Sequence, residues 1–146
     1  MPRYFRLFAL LLSLLLAGHA AAQQMTPSEA FEAARAGKIT LIDIRTPPEW
    51  QQTGVAQGAT LINMIHPQGA AGFLKEVLAK TGGKMNAPIA LICRTGNRTS
   101  QVQRFLQAQG LTQVYNIPEG MAGSMSGPGW LARKLPVEAC KICQLS

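Results

Sequence analysis

The sequence PIALICRTGNR, which occupies residues 88–98, restricts the possible folds of this chain more than any other stretch. The apolar residues 89–92 are too few for an independent helix and follow a proline, so they predict a fully buried strand. Residues 100–109 then place apolar side chains at positions i, i+3 and i+4 of a helix, and Gly110 follows as a stop signal. The pattern therefore predicts a buried strand, a short turn that begins with Cys93, and a helix.

The position of Cys93 just ahead of a helix is typical of a reactive thiol. The first N–H groups of a helix lack intrahelical partners and carry the positive end of the helix dipole, which favours a thiolate or a bound anion. Two arginines supply planar donors suited to oxyanions, and a glycine lets the N–H groups of the turn converge. We therefore predict Cys93 as a nucleophile, the alternative being an inert, buried cysteine. The residues expected to bind the substrate are Arg94, Thr95, Gly96, Asn97, Arg98 and Thr99.

The N-terminal segment predicts export. Two arginines precede an apolar run over residues 7–17, and alanines at 20–22 match an A-x-A cleavage pattern. The run is shorter than a comfortable bilayer span, so we expect no stable membrane insertion after cleavage. Residues 1–22 are thus predicted to be a signal peptide, and residues 23–146 a single domain in the bacterial periplasm or outside the cell.

The formal net charge of +7 indicates a class of substrate rather than a nucleic-acid partner. The basic residues of the predicted mature chain are scattered, without a run, and few aromatic residues lie between them. Binding to nucleic acid is therefore not expected. A mildly positive field that attracts small anions is the simpler interpretation.

The odd number of cysteines also bears on Cys93. Cys140 and Cys143 form a C-x-x-C motif near the C-terminus, and an exported chain meets an oxidising compartment. The two could form a structural disulfide, act as a resolving pair that takes sulfur from Cys93, or bind a metal. We expect no metal site, because no second pair of ligands supports one. In each case Cys93 is left over, as expected for a free reactive thiol.

Alternating signals along the chain predict an α/β fold. The predicted helices cover residues 27–36, 47–54, 72–80 and 100–109, and the predicted strands cover 39–44, 58–64, 89–92 and 114–117. Residues 118–130 are predicted to be a loop with one short helical turn. The expected architecture is one domain with a mostly parallel central sheet and helices on both faces, whose ligands bind beyond the carboxyl ends of the strands.

Asp43 and Arg45 end one of these strands near the same edge as Cys93. They could form an ion pair and hold loops by hydrogen bonds, or they could contact the substrate directly. We expect them to support the site.

Three motifs resemble the rhodanese-like sulfurtransferases, and the chain is similar to a small, exported, single-domain member. The motifs are LIDIR followed by PEW at 41–50, GVAQGA at 54–59 leading into Asn63, and CRTGNR at 93–98. The resemblance covers nearly all of residues 27–136. Two departures are visible: Val55 replaces the family's histidine in a segment interpreted as structural, and residues 124–129 lengthen the turn that would form a lid over the site.

The resemblance implies a thiosulfate sulfurtransferase with a ping-pong mechanism. Cys93 would attack the outer sulfur of thiosulfate or a related sulfane donor and become a persulfide, and cyanide or a thiol would then accept the sulfur. Arg94 and Arg98 would hold the sulfonate-like end of the donor. No metal or organic cofactor is implied, since the persulfide on Cys93 is itself the sulfur carrier.

Two other functions are compatible with a cysteine in such a loop. The first is a sulfur-carrier or interaction module with little turnover. The second is a cysteine-based phosphatase or arsenate reductase, whose motif places an arginine six residues after the cysteine. Position 99 is a threonine here, and Arg98 is one residue short of that position.

Overall fold

A parallel sheet of four strands forms the centre of the protein. The computed structural model describes residues 23–144, so the predicted signal peptide lies outside the described residues. The strands are β1 Thr40–Asp43, β2 Val55–Ala56, β3 Thr60–Leu61, β4 Ile89–Ile92, β5 Val114–Asn116 and β6 Val137–Glu138. The helices are α1 Pro27–Arg35, α2 Pro47–Thr53, α3 Gly69–Lys80, α4 Asn97–Ala108 and α5 Gly129–Ala132, and a 3-10 helix covers Ile142–Gln144.

The order of strands in the sheet is β3-β1-β4-β5, and all three pairings are parallel. Strand β4 lies between β1 and β5, and all four of its residues are buried. Successive side chains of a strand point to opposite faces. Ile89 and Leu91 therefore pack in one cluster with residues of α3 and α4, whereas Ala90 and Ile92 pack in a second cluster with residues of α1 and α5. The predicted α/β class with helices on both faces is confirmed.

Local sequence signals predicted two of the helix starts correctly and missed two others. Thr26 and Thr46 begin α1 and α2 with capping boxes, in which a glutamate three residues later binds back to the cap. Helix α4 begins at Asn97, three residues before the predicted start, and α3 begins at Gly69 instead of residue 72. The apolar pattern missed these first turns because residues 69–71 are small and exposed and residues 97–99 are polar, so neither stretch has large apolar side chains.

A small antiparallel sheet of β2 and β6 was not predicted. It pairs Val55 with Glu138 and Ala56 with Val137, and so attaches the C-terminal tail to the domain. At the other end of the chain, Gln24 forms a parallel bridge with Asn116 beside β5. No helix within residues 23–144 has the length and apolar character needed to cross a membrane.

Candidate active site

Cys93 follows the last residue of β4 and lies under the first turn of α4. It exposes 0% of its surface and belongs to the cluster between the sheet and α3 and α4. Its sulfur nevertheless has polar neighbours: the Gly96 N–H donates to Sγ at 3.2 Å, and Thr99 Oγ1 lies 3.4 Å from Sγ. A donor aimed at the sulfur stabilises negative charge there. The Cys93 thiol is therefore buried, but the polar groups next to its sulfur can stabilise a negative charge there.

Gly96 can occupy its position only because it has no side chain. Its φ is +85°, in the left-handed region, and a Cβ built on it would lie 2.3 Å from the carbonyl oxygen of Pro118. The chain after β5 holds the same loop from outside: Met121 N–H donates to Cys93 O and Ala122 N–H donates to Arg94 O, each at 2.9 Å. The close approach of this segment fixes the curled backbone that aims the Gly96 N–H at the sulfur.

Thr99 is a buried residue in the first turn of α4. Its hydroxyl donates to the Gly96 carbonyl at 3.1 Å and lies beside the Cys93 sulfur. This threonine therefore ties the helix to the turn at the position where a phosphatase motif would place an arginine.

The two arginines of the loop differ in their hydrogen-bond partners. Arg98 binds Glu49 with both terminal nitrogens, at 2.8 Å from Nη1 to Oε2 and 2.5 Å from Nη2 to Oε1. Arg94 is exposed, and its side chain makes no hydrogen bond or ion pair within residues 23–144. The prediction grouped both arginines as donors to substrate, but in this structure Arg98 donates to a carboxylate of the protein itself.

Glu49 is a functional candidate that the sequence motifs did not indicate as a site residue. Its Oε2 also accepts hydrogen bonds from the N–H and hydroxyl of Thr46, which close the capping box of α2. The hydrogen bond from Arg98 is the largest cause that lowers the pKa of Glu49 to about 2. In return, the hydrogen bond to Glu49 raises the pKa of Arg98. A glutamate three residues after a helix cap was visible in the sequence, but its distant partner was not.

Asp43 and Arg45 form a buried ion pair, the first of the two alternatives considered for them. Arg45 Nη2 lies 2.7 Å from Asp43 Oδ2, and both side chains are almost fully buried. The remaining donors of Arg45 bind Thr53 Oγ1 at 2.8 Å and Gly54 O at 2.9 Å. The pair therefore fixes the C-terminal end of α2 against the end of β1, and α2 in turn carries Glu49.

A protein-family model matches the part of the chain that forms this site. The model of the rhodanese-like domain matches residues 26–125, which include the sheet, the Cys93 loop and α4. The chain belongs to the rhodanese-like family.

This rhodanese-like chain is similar to relatives with and without a stated function. An uncharacterized protein of Rickettsia conorii is 31% identical over 98 residues, covering 66% of this chain and 80% of the relative. The thiosulfate sulfurtransferase GlpE of Pseudomonas syringae is 24% identical over 94 residues, covering 64% and 79%. The solution structure of a polysulfide-sulfur transferase homodimer from Wolinella succinogenes has a TM-score of 0.60 and 25% identity, covering 82% of this chain and 80% of that chain. These relatives support membership of a sulfurtransferase family.

The turn over residues 124–129 of this rhodanese-like domain is fixed at its base. Glu119, which is 3% exposed, accepts hydrogen bonds from Arg133 at 2.7 and 2.8 Å and from the Gly129 N–H at 2.9 Å. Hydrogen bonding to Arg133 is the largest cause that lowers the pKa of Glu119. The tip of the turn, residues 124–126, lines a cavity of about 390 Å³. The active-site loop contributes Thr95, Gly96 and Asn97 to the same cavity.

The C-terminal cysteines pack beside the rhodanese-like core. Cys140 and Cys143 are joined by a disulfide, the first of the three arrangements considered for them. Both are buried with Trp50 of α2 and Val55 of β2. The side chain of Gln51 also donates to the Cys143 carbonyl at 3.0 Å. Within residues 23–144, Cys93 is the free cysteine, and no group of three or more His, Cys, Asp or Glu side chains is arranged to hold a metal.

Proposed function

We propose that this rhodanese-like protein is a sulfurtransferase that moves sulfane sulfur from thiosulfate, or a similar donor, to a thiophilic acceptor. The observation that carries the proposal is the hydrogen bond from the Gly96 N–H to Cys93 Sγ at 3.2 Å. A backbone donor aimed at Sγ stabilises negative charge on this sulfur, both in the thiolate that attacks and in the thiolate that is regenerated.

In the first step, the Cys93 thiolate attacks the outer sulfur of thiosulfate. A Cys93 S–S bond forms, the bond between the outer and central sulfurs of thiosulfate breaks, and sulfite leaves with the electron pair. In the second step, cyanide or a thiolate attacks the terminal sulfur of the persulfide. The S–S bond to Cys93 breaks, thiocyanate or a new persulfide leaves, and the Cys93 thiolate is regenerated. No metal or organic cofactor takes part in either step.

The exposed and unpaired Arg94 is the residue that we assign to the anionic end of the donor. Its guanidinium offers parallel donors to a sulfonate-like group, and its charge offsets the charge that develops on departing sulfite. Because Cys93 exposes 0% of its surface, the outer sulfur of the donor reaches Sγ only after atoms above the thiol move aside. Sulfur uptake therefore includes a local opening of the loop.

The protein-phosphatase alternative has less support. A phosphate-binding loop of that class needs an arginine at position 99, where the buried Thr99 donates to the Gly96 carbonyl instead. The sulfur-carrier alternative shares the persulfide on Cys93 and differs only in turnover.

We also propose that the protein acts after export, in the periplasm or outside the cell, on small sulfur compounds and without a nucleic-acid partner.

The test is intact-protein mass spectrometry of the chain from residue 23 after incubation with thiosulfate. The wild type should gain one sulfur atom, which cyanide should remove as thiocyanate, and Cys93→Ser should gain none. Uptake without multiple turnovers would favour the carrier function. Turnover of an aryl phosphate in the absence of sulfur uptake would overturn the proposal in favour of a phosphatase.

A further inference from the structure

The ion pair between Glu49 and Arg98 links two elements that are distant in sequence. Glu49 lies in the first turn of α2 and Arg98 in the first turn of α4, 49 residues apart. Two parallel N–H···O bonds join them, an arrangement that fixes orientation as well as distance. The side chains are 31% and 23% exposed for Arg98 and Glu49, respectively, so water screens the pair only in part.

The Glu49 carboxylate is itself held by its own helix. Its Oε2 accepts the N–H of Thr46 at 3.0 Å and the hydroxyl of Thr46 at 3.0 Å. The two hydrogen bonds from Thr46 therefore fix the carboxylate in the position from which it accepts the Arg98 guanidinium. Because Arg98 lowers the pKa of Glu49 to about 2, the carboxylate is ionised at neutral pH.

The pair also changes the charge available to a substrate. The negative charge of Glu49 offsets the positive charge of Arg98, whereas Arg94 has no partner within residues 23–144. The loop around Cys93 therefore offers a substrate one unpaired arginine. Thiosulfate carries two negative charges, and a thiosulfonate or a hydropersulfide carries one.

We propose that Glu49 is a positioning residue that selects the sulfur donor by charge, because it withholds Arg98 from the donor and so favours singly charged sulfane donors over dianions. This inference rests on the proposed sulfurtransferase function, and it concerns which donors that function uses. The selection acts through binding. Glu49 should therefore raise the Michaelis constant for a dianionic donor relative to that for a singly charged donor.

The decisive variant is Glu49→Gln. Glutamine keeps the capping box of α2 but removes the charge that neutralises Arg98. The positive charge of Arg98, no longer offset by Glu49, should lower KM for thiosulfate relative to KM for benzenethiosulfonate, a singly charged donor. The expected change is about threefold or more, since one added charge near the surface has a modest Coulomb effect. The kcat of both donors should change in parallel.

Two further variants separate charge from structure. Glu29→Gln is the matched control, because Glu29 closes the equivalent capping box of α1 with Thr26 and binds no arginine. It should leave the ratio of KM values unchanged. The double variant Glu49→Gln with Arg98→Gln replaces the ion pair by two neutral amides and should restore the wild-type ratio. An unchanged ratio in Glu49→Gln, or a ratio in the double variant that stays low, would overturn the proposal.

A binding measurement separates failure of this inference from failure of the proposed function. Calorimetry with sulfate as a dianion and methanesulfonate as a monoanion requires no sulfur transfer. Glu49→Gln should bind sulfate about threefold or more tightly relative to methanesulfonate than the wild type does. Equal relative affinities in the two proteins would refute the role of Glu49 whether or not Cys93 takes up sulfur.

Discussion

The carbonyl oxygen of Pro118 covers the α-carbon of Gly96 so closely that a Cβ built on Gly96 would lie 2.3 Å from it. This contact joins the segment after β5 to the loop whose Gly96 N–H donates to the Cys93 sulfur. The shape of the loop therefore depends on a residue that is 22 positions further along the chain, as well as on the glycine.

Substitution of Gly96 by alanine should lower the free energy of unfolding by about 2 kcal/mol or more, because left-handed strain adds to the clash with Pro118. Urea unfolding measures the loss. Gly110→Ala is the control, since Gly110 also has a positive φ of +100° but no atom within 4 Å of the added Cβ. That variant should lose only about 1 kcal/mol. Equal losses in the two variants would show that Pro118 does not constrain the loop.

Burial of Cys93 should protect its thiol from alkylation. The residue exposes 0% of its surface, so reaction with iodoacetamide requires a local opening. We expect a rate at least about tenfold lower in native buffer than in urea, measured by the mass gained over time. Cys140 and Cys143 form a disulfide and should not react unless they are reduced. A native rate equal to the rate in urea would show that the thiol is open to solvent.

The ion pair of Glu49 should make stability depend on acid pH. The folded pKa of about 2 lies below the ordinary value of 4.5, so the stabilisation is fully present above about pH 4.5 and is lost as the pH falls toward 2. In Glu49→Gln this contribution is absent. The difference in unfolding free energy between wild type and variant should therefore be constant near neutral pH and shrink below about pH 4.5, as denaturant titrations at several pH values will show. A difference that grows in acid would contradict the assigned pair.

The C-terminal disulfide should stabilise the fold without taking part in sulfur uptake. It closes a loop between residues three positions apart, and loop-closure entropy predicts a loss of about 2 kcal/mol when both cysteines become serine. Cys143→Ser should still gain one sulfur atom on Cys93 when thiosulfate is added, as measured by intact mass. Loss of that gain in a folded variant would instead identify Cys143 as part of the transfer route.

The local signals in the sequence located most of the fold. The capping threonines, Thr26 and Thr46, gave the starts of α1 and α2, and the apolar residues 89–92 gave the buried strand ahead of Cys93. Each of these features depends on residues within a few positions of one another. The short β2 and β6 strands were missed because each has two residues and forms only by pairing with the other across about 80 residues.

The candidate site was located from the sequence, but its internal partners were not. The site residues Cys93, Gly96 and Thr99 lie within seven positions of one another. The change from strand to helix between them brings their side chains and backbone groups together. The partner of Arg98 could not be inferred in the same way, because no local rule distinguishes a guanidinium directed at substrate from one directed at Glu49. The start of α4 at Asn97 also placed Arg98 and Thr99 on the helix, where the sequence had predicted the turn.

By itself, the sequence determined that a cysteine follows a buried strand at the head of a helix, because strand length, glycine placement and helical spacing are local properties. Only the tertiary structure decided that Cys93 is covered, that Arg98 is neutralised by Glu49 and that Arg94 is left unpaired. The physical reason is that burial and ion pairing depend on which distant segments the sheet brings into contact. The charge that a substrate meets is fixed by those contacts and not by the count of arginines in the motif.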